Sequence, residues 1–546
     1  MAGRRRQAVS AIVLGFFLSV LLLTHLTSQP YTSDRLPKWQ SPFRETNIPS
    51  VLPLPLEYSQ CESEGECPSG ICTDLFSANY IRQLVNNSQS YCEDGAPSDI
   101  TCFHTKIDSK SARIDSFCIA RGAHFDVSST KYILTCPRRD DRKEDRAGLK
   151  IPLERMHRYW YMTGPIYIFT QFIQLEAKAP LAPSDLPASS RGSLSTYISS
   201  SPPPRFQLLV KREGCANLWH SLMEIWSTSM TFDALRLAPD PKNPEQPLFR
   251  HPFDSQDTQV VILDDHPDGP YFDLWKMFAQ REPVRLKDLL VGQQFGVRAL
   301  EAEMAPNIII PLAGGSNPLW QNDWVDRPDC IYSPTLQVFA RRVLEFYNIV
   351  GPEAEIIAQK DIINPAITLT FIDRRQTRRL VNQTALLMAL GAAVPEFIQL
   401  NIQAVDFAEY PFDEQLRIAH ATDVLVGVHG AGLTHAIFMK GDTNDWTGGG
   451  VVVELQPEAL RSQWDGGTHE GPGHVGFKNL ARMLALGYRR IAVREVVPAD
   501  GDDEQKKNYS WQTNDVAVDE EEFVGVLSGV VQQVWEKRQR ASLSGQ

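Results

Sequence analysis

The sequence lacks several features that would point to a common function. Among its nine cysteines, no two have the CxxC spacing of a zinc knuckle or a dithiol redox motif. Basic residues are in the minority. With 54 Lys and Arg against 66 Asp and Glu, the formal charge is −12, so phosphate-rich polymers are repelled and nucleic acid is not an expected partner. A composition of 42% apolar and 22% charged residues excludes a mainly disordered, collagen-like or multi-span membrane chain. No short internal repeat is visible. The one Asp-x-Asp triplet, Asp500-Gly501-Asp502, sits in a polar run and not after an apolar strand, where a metal-bound diphosphate would need it. At 546 residues the chain has room for three or four units of typical size.

What is present begins with a stretch free of Asp, Glu, Lys and Arg from Gln7 to Ser33, preceded by Arg4, Arg5 and Arg6. Its apolar part is long enough to cross a bilayer as a helix. The basic flank predicts a single-pass type II anchor at residues 8–28 behind a cytosolic tail at 1–7, and a cleaved signal peptide is the alternative. Six prolines between Pro30 and Pro55 make residues 29–60 a stalk. Seven cysteines from Cys61 to Cys136 mark residues 61–150 as a disulfide-stapled lumenal segment, while Cys215 and Cys330 stand alone. Sequons at Asn86, Asn382 and Asn508 agree with a lumenal compartment.

After a Ser- and Pro-rich break at 179–204, short apolar runs alternate with amphipathic ones. Runs at 206–210, 259–263, 307–311, 367–373, 400–407, 423–429, 451–456 and 490–495 read as strands. Helical patterns at 217–232, 334–349, 376–390, 412–421, 432–439 and 477–487 lie among them. This alternation predicts βαβ units on parallel sheets. Two α/β domains are expected, at 151–365 and 366–510, followed by a C-terminal helix and tail at 511–546. Ligands of such domains bind at the carboxyl ends of the strands.

The segment Asp423 to His435 is a buried strand ending in a Gly-rich turn, His429-Gly430-Ala431-Gly432-Leu433-Thr434, that opens a helix. Such a turn suits a diphosphate, although it is also the form of a plain tight turn. Arg374 and Arg378 follow another strand end and suit phosphate oxygens, with a solvated helix face as the alternative for the whole run. Glu454 lies inside an apolar strand, where a carboxylate must be paired or hold a sugar hydroxyl. His220 and Glu224 are four apart on one helix and form a candidate general base with its orienting carboxylate.

Val426 to Thr434, the Asn217…His220 helix start, the arginine-bearing strand end before Asn382 and the Val452-Val453-Glu454-Leu455-Gln456-Pro457 strand together resemble the family 61 glycosyltransferases. The cysteine-rich segment, Ser316-Asn317-Pro318-Leu319-Trp320 and Arg341-Arg342-Val343-Leu344 resemble the branch of EGF-domain-specific O-linked N-acetylglucosamine transferases. The resemblance implies a GT-B fold, a pair of Rossmann-type domains on a cleft, with a UDP-sugar donor and transfer with inversion. It points to a secretory-pathway protein or glycan as acceptor, in the endoplasmic reticulum or Golgi lumen. Arg374, Arg378 and the turn from His429 to Thr434 would hold the diphosphate, Glu454 the ribose, and His220 with Glu224 would act as base, with neither metal nor cofactor. A pentosyltransferase acting on glycans and a non-catalytic lumenal carbohydrate-binding protein remain as alternatives.

Overall fold

The computed structural model describes residues 70–105, 114–126, 128–139, 151–177, 205–240, 243–249, 254, 257–279, 281–288, 307–351, 366–440, 449–461, 473–496 and 512–544. The expected anchor and stalk, Cys61, Cys67, Asp500 to Asp502 and the Asn508 sequon lie outside the described residues. Among the described residues no helix is long and apolar enough to cross a membrane.

Seven strands form the first sheet, in the order Ser88–Ser90, Asp99–His104, Ser116–Arg121, Asn307–Ile310, Phe206–Val210, Thr258–Ile262, Val284–Arg285. The last four run parallel, and the first three are added antiparallel at one edge. The cysteine-rich segment expected to stand before the α/β part is therefore built into its sheet. Its strands alternate too little and are buried too fully to stand alone, and pairing with Asn307–Ile310 covers that edge. Disulfides Cys92–Cys136 and Cys102–Cys118 staple the segment internally. Cys330 does not stand alone as expected. It bonds Cys72 across 258 residues, and Cys215 is the free thiol among the described residues.

The second sheet runs Leu400–Val405, Ile367–Ile372, Val424–Val428, Val451–Pro457, Gly487–Glu495, Val516–Ala517. All pairs are parallel except the last. Val, Ile and Leu dominate these strands because both faces are covered. The C-terminal helix Glu520–Ser544 and the helix Gln383–Ala393 close the outer face over Leu369, Val426 and Val453.

One apolar core joins the inner faces of both sheets. The helix Leu218–Leu237 runs through it, capped by Asn217, whose side chain accepts from Trp219 and His220 N–H. This helix is buried almost all round, so its small polar side chains turn inward on the backbone: Thr228 Oγ1 donates to Glu224 O at 2.9 Å and Thr231 Oγ1 to Ser227 O at 3.0 Å. Asp233 on this helix holds two arginines, Arg342 in a bidentate pair with both contacts at 2.9 Å and Arg236 at 3.6 Å.

Strand order reverses once in each parallel sheet. In the first, successive connections leave Phe206–Val210 towards opposite edges, so the gap beside Asn307–Ile310 is a topological switch point. In the second, the switch point lies between Ile367–Ile372 and Val424–Val428. Every candidate site residue except Glu454 lies beyond the carboxyl end of a strand at one of these two points, or on the helix that follows.

Candidate active site

At the second switch point, Ile367–Ile372 runs into a turn and not into the helix expected from residue 376. Asn382 takes a left-handed φ of 58° and caps a helix that begins only at Gln383. Along the turn the arginines part. Arg375 faces Asp373, Asp406 and Glu409, and Arg379 is chelated by Asp515, so both are exposed surface pairs. Arg374 and Arg378 point the other way. Arg378 Nη1 donates to His429 O at 2.6 Å, and a Cβ at Gly430 would lie 2.8 Å from Arg374 Nη1 and 2.9 Å from Arg378 Nη1. Gly430, at φ 151°, is thus the one residue that lets the turn close on two guanidinium groups. Burial, reinforced by the charge of Arg374, lowers the Arg378 pKa to about 10, and burial lowers that of Arg374 against the pull of Asp406. Two like charges share this corner, and an anion between them would relieve both.

The expected helix from residue 432 is a 3-10 helix, Ala431–Phe438. Leu433 does not reach the cleft. Its side chain is buried in the core between the sheets and its N–H donates to Gly430 O at 3.0 Å. Thr434 is fully buried, with its Oγ1 unpartnered among the described residues. Gly432 lines the cleft.

Glu454 differs from expectation. Both of its oxygens are taken inside the protein, Oε1 by His429 Nδ1 at 2.5 Å and Oε2 by Tyr488 OH at 2.5 Å, which leaves neither for a ribose. Parallel register sets Glu454 beside Gly427, two residues before His429, so strand geometry brings the pair together. Burial would raise the Glu454 pKa, but the His429 hydrogen bond and the neighbouring imidazoles reverse this and hold it below the usual carboxylate value. His474 packs edge-on to His429 at 4.5 Å, and burial together with the His429 charge lowers its pKa to about 3. His429, Glu454 and His474 each offer a ligand atom within 4.8 Å of the others, the spacing of a cation site, although the carboxylate is already satisfied on both oxygens. Asp323 Oδ2 lies 3.8 Å from His474 Nε2, and burial lifts this carboxyl to about 7. The imidazole there is neutral, so its contact with Asp323 is not an ion pair.

The first switch point has the opposite chemistry. His220 Nδ1 lies 3.4 Å from Glu213 Oε2, so the expected His220–Glu224 pairing is replaced by His220–Glu213. The chain from Lys211 to Asn217 folds back over the helix start, and Glu224 Oε1 accepts the Glu213 N–H at 2.5 Å. Glu213 Oε1 accepts from Gly315 N–H at 3.0 Å and Thr163 Oγ1 at 3.2 Å. The backbone at Gly314 approaches so closely that a Cβ there would lie 2.7 Å from Glu224 Cγ. Burial and the Glu213 charge push the Glu224 pKa well up, so Glu224 is the acid that keeps its proton. Glu213 escaped notice in the sequence. Its one signal is a carboxylate three residues past a buried strand end.

A cleft of about 430 Å³ opens at the second point, with both Arg374 and Arg375 in its lining, and reaches the start of the helix Leu218–Leu237, although neither His220 nor Arg378 lines it. Ala216, Leu218 and Tyr271 line it from the first half, and Arg374, Thr377, Asp406, Ala431 and Gly432 from the second. The helix that carries His220 thus begins on the wall opposite the arginine turn. The Glycosyltransferase 61 family profile matches residues 244–444. Over this stretch the chain is similar to the glycosyltransferase 61 family.

Similar proteins include the EGF domain-specific O-linked N-acetylglucosamine transferase of Drosophila melanogaster, 27% identical over 281 residues, or 51% of this chain and 46% of the relative. The protein of the same name from Canis lupus familiaris is 34% identical over 214 residues, covering 37% and 34% of the two chains. The Protein O-linked-mannose beta-1,4-N-acetylglucosaminyltransferase 2 of Tetraodon nigroviridis is 24% identical over 213 residues, covering 38% and 32%. The chain spans less than half the length of the curated relatives it matches.

Proposed function

We propose that the protein transfers N-acetylglucosamine from UDP-N-acetylglucosamine to Ser or Thr hydroxyls of secretory-pathway proteins, with inversion, in a GT-B arrangement of its two α/β halves. The observation that carries this reading is a cleft with Arg374 on one wall, Arg378 converging with it on Gly430 of the same turn, and on the other wall the start of the helix whose His220 faces a carboxylate. The relatives named above are all called N-acetylglucosamine transferases, which favours that sugar over a pentose. Three disulfides suit an oxidising compartment such as the endoplasmic reticulum or Golgi lumen, with the N-terminal apolar run as anchor.

His220, whose Nδ1 faces Glu213 Oε2 at 3.4 Å, presents Nε2 to the acceptor hydroxyl once that contact tightens with substrate bound. That oxygen attacks the anomeric carbon as its proton passes to His220. The bond from this carbon to the diphosphate oxygen breaks, and its electron pair leaves with UDP. Arg374, Arg378 and the backbone from Gly430 to Gly432 take up the charge that develops on the diphosphate, a fixed electrostatic field that replaces a metal. Glu454 acts behind His429, fixing its ring beside the turn. Glu224, carrying its proton, anchors the loop that holds Glu213.

The test is a panel of nucleotide sugars with the purified chain in EDTA, followed by thermal shift and by release of UDP. UDP-N-acetylglucosamine should raise the melting temperature and be slowly hydrolysed. Preference for a UDP-pentose would replace the donor. Activity restored only by Mn²⁺ would replace the metal-free mechanism, and silence on every donor would make the protein a binding protein.

A further inference from the structure

Beside His220 the chain displays three large apolar side chains in a row: Trp160 is 94% exposed, Tyr161 45% and Met162 61%. They stand on a stiff support. Met162 takes a left-handed φ of 51°, and its N–H closes a turn on Tyr159 O at 3.0 Å. Below them Tyr159 is buried and donates its hydroxyl to Asp115 at 2.6 Å, and the backbone of Gly164 presses on its ring so closely that a Cβ there would lie 2.9 Å away. Backbone strain of this kind persists only where the surroundings impose it.

The shelf is continuous with the proposed base. The ring of Tyr161 meets His220 edge-on at 4.8 Å, and Trp320 meets it from another side at 4.6 Å. Lys211 Nζ donates to Tyr161 O at 3.2 Å, and Thr163, the residue after the shelf, donates to the Glu213 carboxylate that faces His220. A hydroxyl that reaches His220 arrives framed by aromatic rings.

Resting on the catalytic reading above, we infer that Trp160, Tyr161 and Met162 dock the acceptor polypeptide, gripping an apolar side chain next to the hydroxyl-bearing residue. The chemistry of the neighbours selects this occupant. A sugar ring stacked on an aromatic face needs polar groups around it for its hydroxyls, and those nearby are engaged: Asp115 by Tyr159 and Gln321, and Glu213 Oε1 by Gly315 and Thr163. Beside the two rings, the same stretch exposes the apolar Met162 and the basic Arg158. Together they suit a peptide with an apolar residue beside its hydroxyl and a carboxylate further along. Rigid, exposed aromatic anchors of this kind carry most of the binding energy at peptide and protein interfaces.

The test is an array of nine-residue peptides with a central threonine, flanked by Leu or Phe in one set and by Ser or Asn in another, each also made with a mannosylated threonine. The full chain is applied with UDP present. Apolar-flanked, unmodified peptides should be captured, and Trp160→Ala should weaken capture by about tenfold while its melting temperature and UDP-induced shift match those of the wild type. Equal capture by wild type and Trp160→Ala, or capture of no peptide, would overturn the assignment. So would selective capture of mannosylated peptides whatever their flanks, which would make the shelf a sugar platform, or a concentration-dependent dimer that Trp160→Ala abolishes. Transfer from UDP-N-acetylglucosamine, assayed alongside, separates the two readings. Turnover without flank preference leaves the transferase and removes the shelf, whereas capture without turnover does the reverse.

Discussion

The two switch points use one piece of topology for opposite charges. At the first, a strand end leads into Glu213, a capped helix start and a closely packed glycine, and two carboxyl groups are buried with one imidazole. At the second, a strand end leads into Arg374, a second strand end into Gly430, and two half-buried guanidinium groups meet a backbone carbonyl. A parallel sheet supplies only the crevice. The residue types placed on its rim decide whether it receives a proton or an anion, so the division of labour is written in the loops and not in the strands.

That contrast can be broken at either end. The largest effect is expected from His220→Ala: loss of a general base is worth about 10² to 10⁴ in rate, so transfer should collapse while UDP still raises the melting temperature. Parallel loss of UDP binding and stability would make His220 a packing residue. Next comes Gly430→Ala. The added Cβ would strike both arginines, so isothermal titration should find UDP affinity lowered at least as far as by removal of one arginine, while a Gly314→Ala control in the other half should still bind UDP. Arg378→Ala should weaken UDP by roughly ten- to a hundredfold, the 1.5–3 kcal/mol of a charge-assisted hydrogen bond. Arg378 sits in a turn at φ 56° and not on a helix, so stability must be measured too, and unchanged affinity in a folded variant would remove it from the site.

A smaller effect concerns Asp323, whose folded pKa of about 7 lies above its ordinary value. Its protonated form favours the folded state, so its contribution is complete below the unfolded value and fades as pH rises towards 7. Relative to Asp323→Asn, the wild type should therefore lose stability between about pH 4 and pH 7 in urea titrations. Parallel curves would refute the burial argument. Smallest of all, Arg375→Ala should change UDP affinity less than Arg378→Ala does, because this arginine, although it lines the cleft, is exposed and already tied to Asp373, Asp406 and Glu409.

How far the sequence could be read depended on the range of the interaction. Apolar runs located Phe206–Val210 to the residue and the strands of the second half to within a few residues, because burial on both faces leaves a local pattern. Arg374, Arg378 and Gly430 were legible for the same reason, each standing at a strand end. The spacing of His220 and Glu224 misled. Four residues on a helix make contact possible, but the loop from Lys211 to Asn217 inserted a better-placed carboxylate. Glu454 was legible as a buried carboxylate in need of a partner, but its partner lies 25 residues earlier on the neighbouring strand and follows only from sheet register. The helix start near residue 376 failed because the turn is set by Asn382 in a left-handed conformation, which no hydrophobic period encodes.

The Cys72–Cys330 bond imposes an order on biosynthesis. During synthesis at about 5–20 residues per second, Cys72 must wait roughly 13 to 52 s for its partner to emerge, whereas Cys102 and Cys118, 16 residues apart, can close within a few seconds. Throughout that delay Cys72 is a reactive thiol on the first helix of the described chain, exposed to mispairing with Cys61, Cys67 or Cys92. The first half can therefore be sealed only after nearly all of it has been made, and any premature pair has to be undone by thiol–disulfide exchange first. Once sealed, a protease cut between these two cysteines leaves the pieces covalently joined, so a nicked molecule would show its break only after reduction.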